Sequence, residues 1–440
     1  MPQPLTFKSL TARPVLLKLK RPVIARIATI TEWPLILIDL QTNEGIVGRS
    51  YLEPYTPKTM KYLVPMLHDL GELLHGQPVA PHDVYHTARK SLHFVGYEGL
   101  SAIAVSGLDM AAWDAVAKRA NRPLCEVLGG TREAVAAYNS NGLWLQPASV
   151  VAEEAIELCA EGGFRALKLR LGRERHEDDE ATIHAVREAV GDEVALMVDF
   201  NQGLDLAEAM DRCSRLDDFG LTWIEEPIVY DNLEGYQKLT ADIQTPIQLG
   251  ENFYGPRALH AAIQMEACDL VMPDFMRIGG VTGWLQAASI AGAAGVPMST
   301  HLYPEVAAHV MRVTDTAHWL EWQSWADPIL QEPYVVRDGK LHIPDVAGVG
   351  LEWDEEAVAA HLVAGEVPEG SSRCLFRKGR CSETNPKAGK GTSWCAWPDE
   401  PRNTRIRHFF HGDFKFGKNT KRFVPKVEHV VDARKKFNRI

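Results

Sequence analysis

The sequence predicts an α/β protein, a TIM-like (β/α)7β barrel with an N-terminal α+β capping domain. Two observations lead there. Over about 190 residues, eight short β-like runs alternate with amphipathic helical stretches: VAAYNS, ALKLRL, ALMVDF, LTWIEE, PIQLGE, LVMPDF, VPMSTH and HWLEW. Strand–helix alternation of this length indicates a parallel sheet with right-handed crossovers. Eight units without a glycine-rich phosphate loop favour a closed barrel over an open doubly wound sheet. The second observation is a module of different rhythm ahead of the barrel, with strands first and helices after.

In that module, PVLLKLKRPV and LILIDLQTNEGIVGRSYL are β-like, and Thr42-Asn43-Glu44-Gly45 reads as the turn of a hairpin. From residue 57 to 130 the spacing becomes helical, as in LSAIAVSGLDMAAWDAVAKRA, and Gly129-Gly130 is a stop signal. The expected domains are a capping and lid domain at 1–132, the barrel at 133–345, and a segment at 346–365 returning to the cap. Residues 366–440 read as a basic tail, disordered or foreign to the domain.

Charge separates that tail from the body. The net charge of −11 conceals 18 Lys/Arg against 8 Asp/Glu in residues 366–440, and 29 against 50 before them. An acidic body argues against nucleic-acid binding by that body, and no nucleic-acid partner is expected. Seven cysteines without zinc-like spacing fit a reducing compartment. No secretory signal is seen, and no apolar run approaches the ~18 residues of a membrane span. The expectation is a cytoplasmic protein with no membrane partner.

The chemistry concentrates at the strand ends. The residues at or just past the C-terminal end of the barrel strands are Lys168 and Arg170, Asp199 and Asn201, Glu225, Glu251, Asp274, His301 and Glu321. One polar residue at a loop start is ordinary, but a whole ring of them marks the mouth where barrel active sites lie. Asp199, Glu225 and Glu251 are spaced one βα unit apart. Three carboxylates at close quarters need a counter-charge, and all-oxygen ligation points to a hard cation, Mg2+ by preference. Lys168 and Arg170, on one face of ALKLRLGR, then have anionic partners. Asp274 can hold one nitrogen of His301, fixing its tautomer and raising its basicity. Cation site and flanking basic groups suit abstraction of a proton α to a carboxylate.

The stretches MVDFNQ, TWIEEP, LGEN, MPDFMRIGGVTGW, MSTHL and TAHWLE resemble the enolase superfamily, and within it the mandelate racemase family. The resemblance spans residues 1 to about 363. It implies Mg2+ at Asp199, Glu225 and Glu251, and His301 with Asp274 as an acid/base. It implies that Lys168 contacts the substrate carboxylate, that Glu321 donates a hydrogen bond to it, and that Asn201 sits beside metal and substrate hydroxyl. It also implies a small-molecule hydroxy acid substrate and a homo-oligomer.

The chain departs from the family in two places. The second base of a Lys-x-Lys pair is here Arg170, a good electrostatic clamp and a poor base. In YLEPYTP, Glu53 stands where an aromatic pocket residue is expected. Glu53 and Tyr55 are candidate substrate-binding residues, and the loop ARIATITEW (25–33) is expected to be a lid. Racemase-type movement of the α-proton of a 2-hydroxy acid leads. The alternative is an acid-sugar dehydratase giving a 2-keto-3-deoxy acid. A non-catalytic binding protein fits less well.

Overall fold

The computed structural model describes residues 5–363. The cap opens with an antiparallel sheet of β1 (Phe7–Ile24), β2 (Thr29–Thr42) and β3 (Val47–Leu52) in that order. The hairpin between β2 and β3 is closed by Thr42, whose hydroxyl donates to the Ile46 carbonyl and accepts from the Ile46 amide. Gly45 takes the left-handed conformation that the turn requires, with φ +84°.

Helices α1 (Pro57–Leu74), α2 (Pro81–Ser91), α3 (Leu100–Ala120) and the short α4 (Leu124–Val127) follow. α3 corrects one expectation, because it is long and apolar enough to cross a membrane. Most of its surface is instead buried, Ala104, Leu108, Ala111 and Ala115 among it. It lies between the cap sheet and the barrel, and a helix apolar all round is what that place requires. The approach to β3 is so close that a Cβ on Gly48 would overlap the Ala111 carbonyl.

The barrel strands are β4 (Val135–Asn139), β5 (Ala166–Arg170), β6 (Ala195–Asp199), β7 (Ile224–Glu225), β8 (Ile247–Leu249), β9 (Leu270–Val271) and β10 (Leu320–Trp322). They run parallel from β4 to β9, and β10 closes on β4 through Leu320 opposite Ala137. The seventh of the eight expected runs, VPMSTH, is not a regular strand. It is held by single bridges, Met298 to Val271 and Ala317, and His301 to Asp274. Its small polar residues Ser299 and Thr300 serve there as hydrogen-bond partners of the flanking segments.

The outer helices are α5 (Ala148–Ala160), α6 (His176–Val190), α7 (Leu206–Leu216), α8 (Leu233–Asp242), α9 (Pro256–Gln264), α10 (Phe275–Ile278), α11 (Gly280–Ala294) and α12 (Pro304–Met311). A small cluster of Tyr138, Ala166, Met197, Trp223 and Leu270 is buried separately from the main core. It fills the barrel below the strand ends, with Tyr138 and Trp223 edge to face at 5.4 Å. The polar mouth therefore has a dry aromatic floor.

β11 (Val335–Arg337) and β12 (Lys340–His342) form a hairpin against β4. The chain then returns to the cap through α13 (Glu355–His361). Leu362 pairs with Val15, and Trp353 donates its indole N–H to Asp39 at 2.9 Å. The tail expected at 366–440 lies outside the described residues.

Candidate active site

Every residue of β5 is buried. Leu167 and Leu169 belong to the core, while Lys168 and Arg170 face the barrel mouth. Lys168 Nζ lies 2.6 Å from Glu225, 2.9 Å from Glu321 and 3.5 Å from Asp199. Burial opposes its charge, but Glu225 and Glu321 outweigh burial and hold its pKa well above the ordinary value. Lys168 is therefore an ammonium shared among three carboxylates.

Arg170 is fixed differently. Its Nη1 donates to the carbonyls of Ser140 and Gly142 at 3.1 Å each and to that of Lys168 at 3.3 Å. Nη2 donates to Ser140 Oγ at 2.7 Å, and the guanidinium lies 4.0 Å from the Trp144 ring centre. Asp199 is 3.9 Å away. The planar guanidinium is thus held by carbonyls at its edge and by an indole on its face.

Asp199, Glu225 and Glu251 stand at or just past the ends of β6, β7 and β8, as the spacing implies. Their oxygens are engaged within the protein. Asp199 accepts from the Asn201 amide at 2.7 Å and from Asn201 Nδ2 at 2.9 Å. Glu225 accepts from the Trp223 indole at 3.0 Å. Glu251 lies 3.1 Å from His301 Nε2. Among the described residues, no three His, Cys, Asp or Glu side chains converge as a ready-made ion cage.

The electrostatic strain of the trio is nonetheless visible. Burial, together with repulsion from Asp199 and Glu251, raises Glu225 to about 8 despite Lys168. A fourth carboxylate was missed in the sequence: Glu226, the second Glu of IEEP. It is buried, its backbone has φ +35°, and it accepts from Asn252 Nδ2 at 2.8 Å. Burial and Glu251 hold its pKa well above normal. Two adjacent acids at a strand end were the available signal.

His301 Nδ1 donates to Asp274 Oδ2 at 2.7 Å. Asp274 also caps α10, accepting from the Met276 amide with Oδ1 at 2.8 Å. Burial lowers the His301 pKa, but Glu251, Glu321 and Asp274 together raise it well above normal. Glu321 departs from the expected donor role. Burial would raise it, yet Lys168 and His301 hold it far below the usual range, so it is an acceptor here, taking the Leu302 N–H at 2.9 Å.

Above the mouth is a cavity of about 370 Å3, lined by residues of both cap and barrel. Lys168, Arg170, Asp199, Asn201, Glu251 and His301 form its barrel side. Val23, Ala25, Ile27, Thr29, Ile30 and Trp33 line it from the cap, so the 25–33 loop does cover the mouth. Tyr55 lines the cavity too, with φ +58° and its hydroxyl 3.5 Å from His301 Nε2.

Glu53 does not line the cavity, which corrects its assignment to the distal pocket. It is buried beneath Tyr55, and its amide donates to the Tyr303 hydroxyl at 2.9 Å. Burial and the nearby Asp274 raise its pKa well above normal. The cavity residues Trp144, Gln323 and Trp325 carried no motif and were not singled out from the sequence.

A capped (β/α)7β barrel with this mouth defines an enzyme of the enolase superfamily. The comparisons agree: residues 8–129 match the mandelate racemase / muconate lactonizing enzyme N-terminal domain, and residues 150–357 the enolase C-terminal domain-like family. The chain belongs to the mandelate racemase / muconate lactonizing enzyme family. It is 32% identical over 332 residues to L-talarate/galactarate dehydratase of Salmonella typhimurium, covering 74% of this chain and 82% of that protein. It resembles a magnesium-bound enolase structure from the alpha proteobacterium bal199 at 67% identity and TM-score 0.81, over 82% of this chain and all of that one. A Bradyrhizobium enolase solved with magnesium and mandelic acid is 43% identical, with TM-score 0.79 and the same coverage.

Proposed function

We propose that the chain removes the α-proton of a 2-hydroxycarboxylate from one face only, and that the neighbouring hydroxyl then leaves as water. This is the reaction of an acid-sugar dehydratase, the second of the two readings the sequence offered. The observation that carries it is Arg170. Its terminal nitrogens are occupied by backbone carbonyls and the Ser140 hydroxyl and its plane by Trp144, so no neutral amine stands at this position. The dehydratase relative from Salmonella supports the same reading.

The residues fit a hard divalent cation. Asp199, Glu225 and Glu251 offer oxygen only, and the raised pKa of Glu225 marks a deficit of positive charge that a cation would remove. Mg2+ is the ion assigned, because the bal199 and Bradyrhizobium structures carry it. Bound there, it would supply Lewis-acid stabilisation of negative charge growing on the substrate carboxylate.

The chain's own residues do the rest. Lys168 neutralises the substrate carboxylate. That carboxylate, arriving beside Glu321, raises the Glu321 pKa and favours the donor role the family resemblance implies. Glu251, now 3.1 Å from His301 Nε2, is one of the three residues that would hold the cation, which would leave Nε2 free for substrate. His301, held by Asp274, then takes the α-proton and returns it to the departing C3 hydroxyl. The resulting enol takes a proton at C3. Substrate thus becomes a 2-keto-3-deoxy acid plus one water.

Racemisation keeps one supporting observation, the mandelic acid in the Bradyrhizobium structure. The test is a screen of aldonic, aldaric and aryl 2-hydroxy acids with Mg2+, read by keto-acid formation and optical rotation. Keto-acid formation is expected. Loss of rotation without a keto product would move the reading to racemisation. Neither signal from any acid would overturn it.

A further inference from the structure

Buried polar atoms are normally paired. Several atoms of the cavity wall are not, Trp33 Nε1 and Asn201 Oδ1 among them, and three lie together on the side formed by β5, β10 and the loop after β4. Arg170 Nε, Trp144 Nε1 and Gln323 Oε1 have no hydrogen-bond partner, and their three residues are all at least nine-tenths buried and line the cavity. Gln323 is oriented by its Nε2, 3.4 Å from Ser140 Oγ, the same oxygen that accepts from Arg170 Nη2. The result is two free donors and one free acceptor next to one another.

The cations of the wall are already committed. Among the lining residues only Lys168 and Arg170 carry a fixed positive charge. Lys168 serves three carboxylates, and both terminal nitrogens of Arg170 are bound to Ser140 and backbone carbonyls. A second substrate carboxylate on this side could accept from Arg170 Nε and Trp144 Nε1, but it would leave Gln323 Oε1 unpaired and set its own lone pairs against that oxygen. An aryl or alkyl group would leave all three atoms unpaired. A hydroxyl accepts from Arg170 Nε or Trp144 Nε1 and donates to Gln323 Oε1.

We propose that Gln323, with Trp144 and Arg170 Nε, is a specificity-determining subsite for a neutral hydroxyl beyond C2. The substrate is then a polyhydroxy monocarboxylate, an aldonate, rather than a dicarboxylate or an aryl hydroxy acid. This rests on the α-proton chemistry proposed above. A site built to bond a hydroxyl discriminates strongly against analogues that lack it.

The test is loss of the α-proton in heavy water with Mg2+, followed by NMR as the sum of solvent exchange at Cα and keto-acid formation. The probes are the six-carbon D-aldonates, the corresponding aldarates, 2-hydroxyhexanoate and mandelate. The best aldonate is expected to exceed the best aldarate, 2-hydroxyhexanoate and mandelate at least tenfold in kcat/KM. Gln323→Leu is expected to lower that ratio tenfold or more, with the thermal midpoint showing that the fold is kept. Gln323→Glu, which keeps an acceptor oxygen, is expected to retain more of the preference than Gln323→Leu. Preference for an aldarate, or an equal effect of Gln323→Leu on every probe, would overturn the subsite and leave the α-proton chemistry standing. Neither exchange nor keto acid from any probe would overturn both.

Discussion

His301 Nδ1 and Asp274 Oδ2 are 2.7 Å apart, and the same carboxylate caps α10 with its other oxygen. Asp274 therefore sets both the imidazole tautomer and the helix start. Asp274→Asn can keep the cap with Oδ1 and present its amide N–H to Nδ1. That forces the proton onto Nε2, the nitrogen facing the substrate. We expect α-proton exchange to fall by roughly a thousandfold or more, with the fold intact. Exchange within tenfold of the parent would show that the dyad is not the base.

Arg170→Lys tests one-sidedness. The parent is expected to exchange the α-proton of one enantiomer of a 2-hydroxy acid and not of the other. An amine at this position lacks the planar fork that the Ser140 and Gly142 carbonyls now hold, and its pKa can fall toward neutrality in a cationic site. The variant is expected to gain exchange on the second face. Equal exchange of both enantiomers by the parent would make Arg170 itself a base.

Removing divalent metal with a chelator is expected to abolish exchange, and Mg2+ to restore it. Glu225→Gln removes one ligand charge and is expected to weaken Mg2+ binding by calorimetry at least tenfold, with most activity lost. It also weakens the hold on Lys168. Full turnover in excess chelator would refute the metal assignment.

The lid is latched to the barrel. Arg26 donates to both oxygens of Glu208 in α7, at 2.9 and 3.2 Å, and Glu208 is also bridged by Arg212 at 2.8 Å. The pair is partly exposed, so Arg26→Ala is expected to cost less than about 1 kcal/mol of stability. It is expected to free the 25–28 turn, raising KM several-fold with a smaller change in kcat. Arg26→Lys should recover part of the effect. An unchanged KM would show that the latch does not hold the lid.

His309 makes stability depend on pH. Its Nδ1 accepts the Cys125 amide at 3.1 Å, and Nε2 lies 3.0 Å from the Tyr334 hydroxyl, which donates to the Val349 carbonyl. The ring is neutral in that network, and burial lowers its pKa to about 3. Between about 6.5 and 3 the unfolded chain binds a proton that the folded chain refuses. This contribution is thus full above pH 6.5 and is lost as pH falls, by up to about 1.4 kcal/mol per unit. The urea midpoint is expected to drop between pH 7.5 and 5, and to drop less in His309→Gln. Identical drops would clear His309.

Much of the site was legible because a barrel converts sequence period into position. Asp199, Glu225 and Glu251 recur once per βα unit, and parallel strands carry such residues to one mouth whatever the helices between them contain. Asp274 and His301 were legible for the same reason, and Lys168 and Arg170 through the two-residue period of a strand. Glu53 was misplaced because a match to the family pattern gives a residue's position along the chain, not whether its side chain reaches the cavity. The left-handed turn at Tyr55 puts the tyrosine in the wall and leaves the acid beneath. The apolar length of α3 was missed because Asp109 and Asp114 interrupt the run; remote partners, Thr282, Arg49 and Val349, hold them inside the fold, with Lys118 one turn away on Asp114.

What the sequence alone determined is the architecture, the ring of ionisable strand ends, and the replacement of a possible base by Arg170. The first two depend on residue type and spacing along the chain, and the third on the resemblance to the family's Lys-x-Lys pair. What only the tertiary structure decided is which of those groups carry charge and which atoms stay free for a substrate. Lys168 binds three acids, Glu321 is an acceptor, and Arg170, Trp144 and Gln323 keep unpaired atoms side by side. Protonation and pairing depend on burial and on neighbours from remote strands, and these exist only once the barrel has closed.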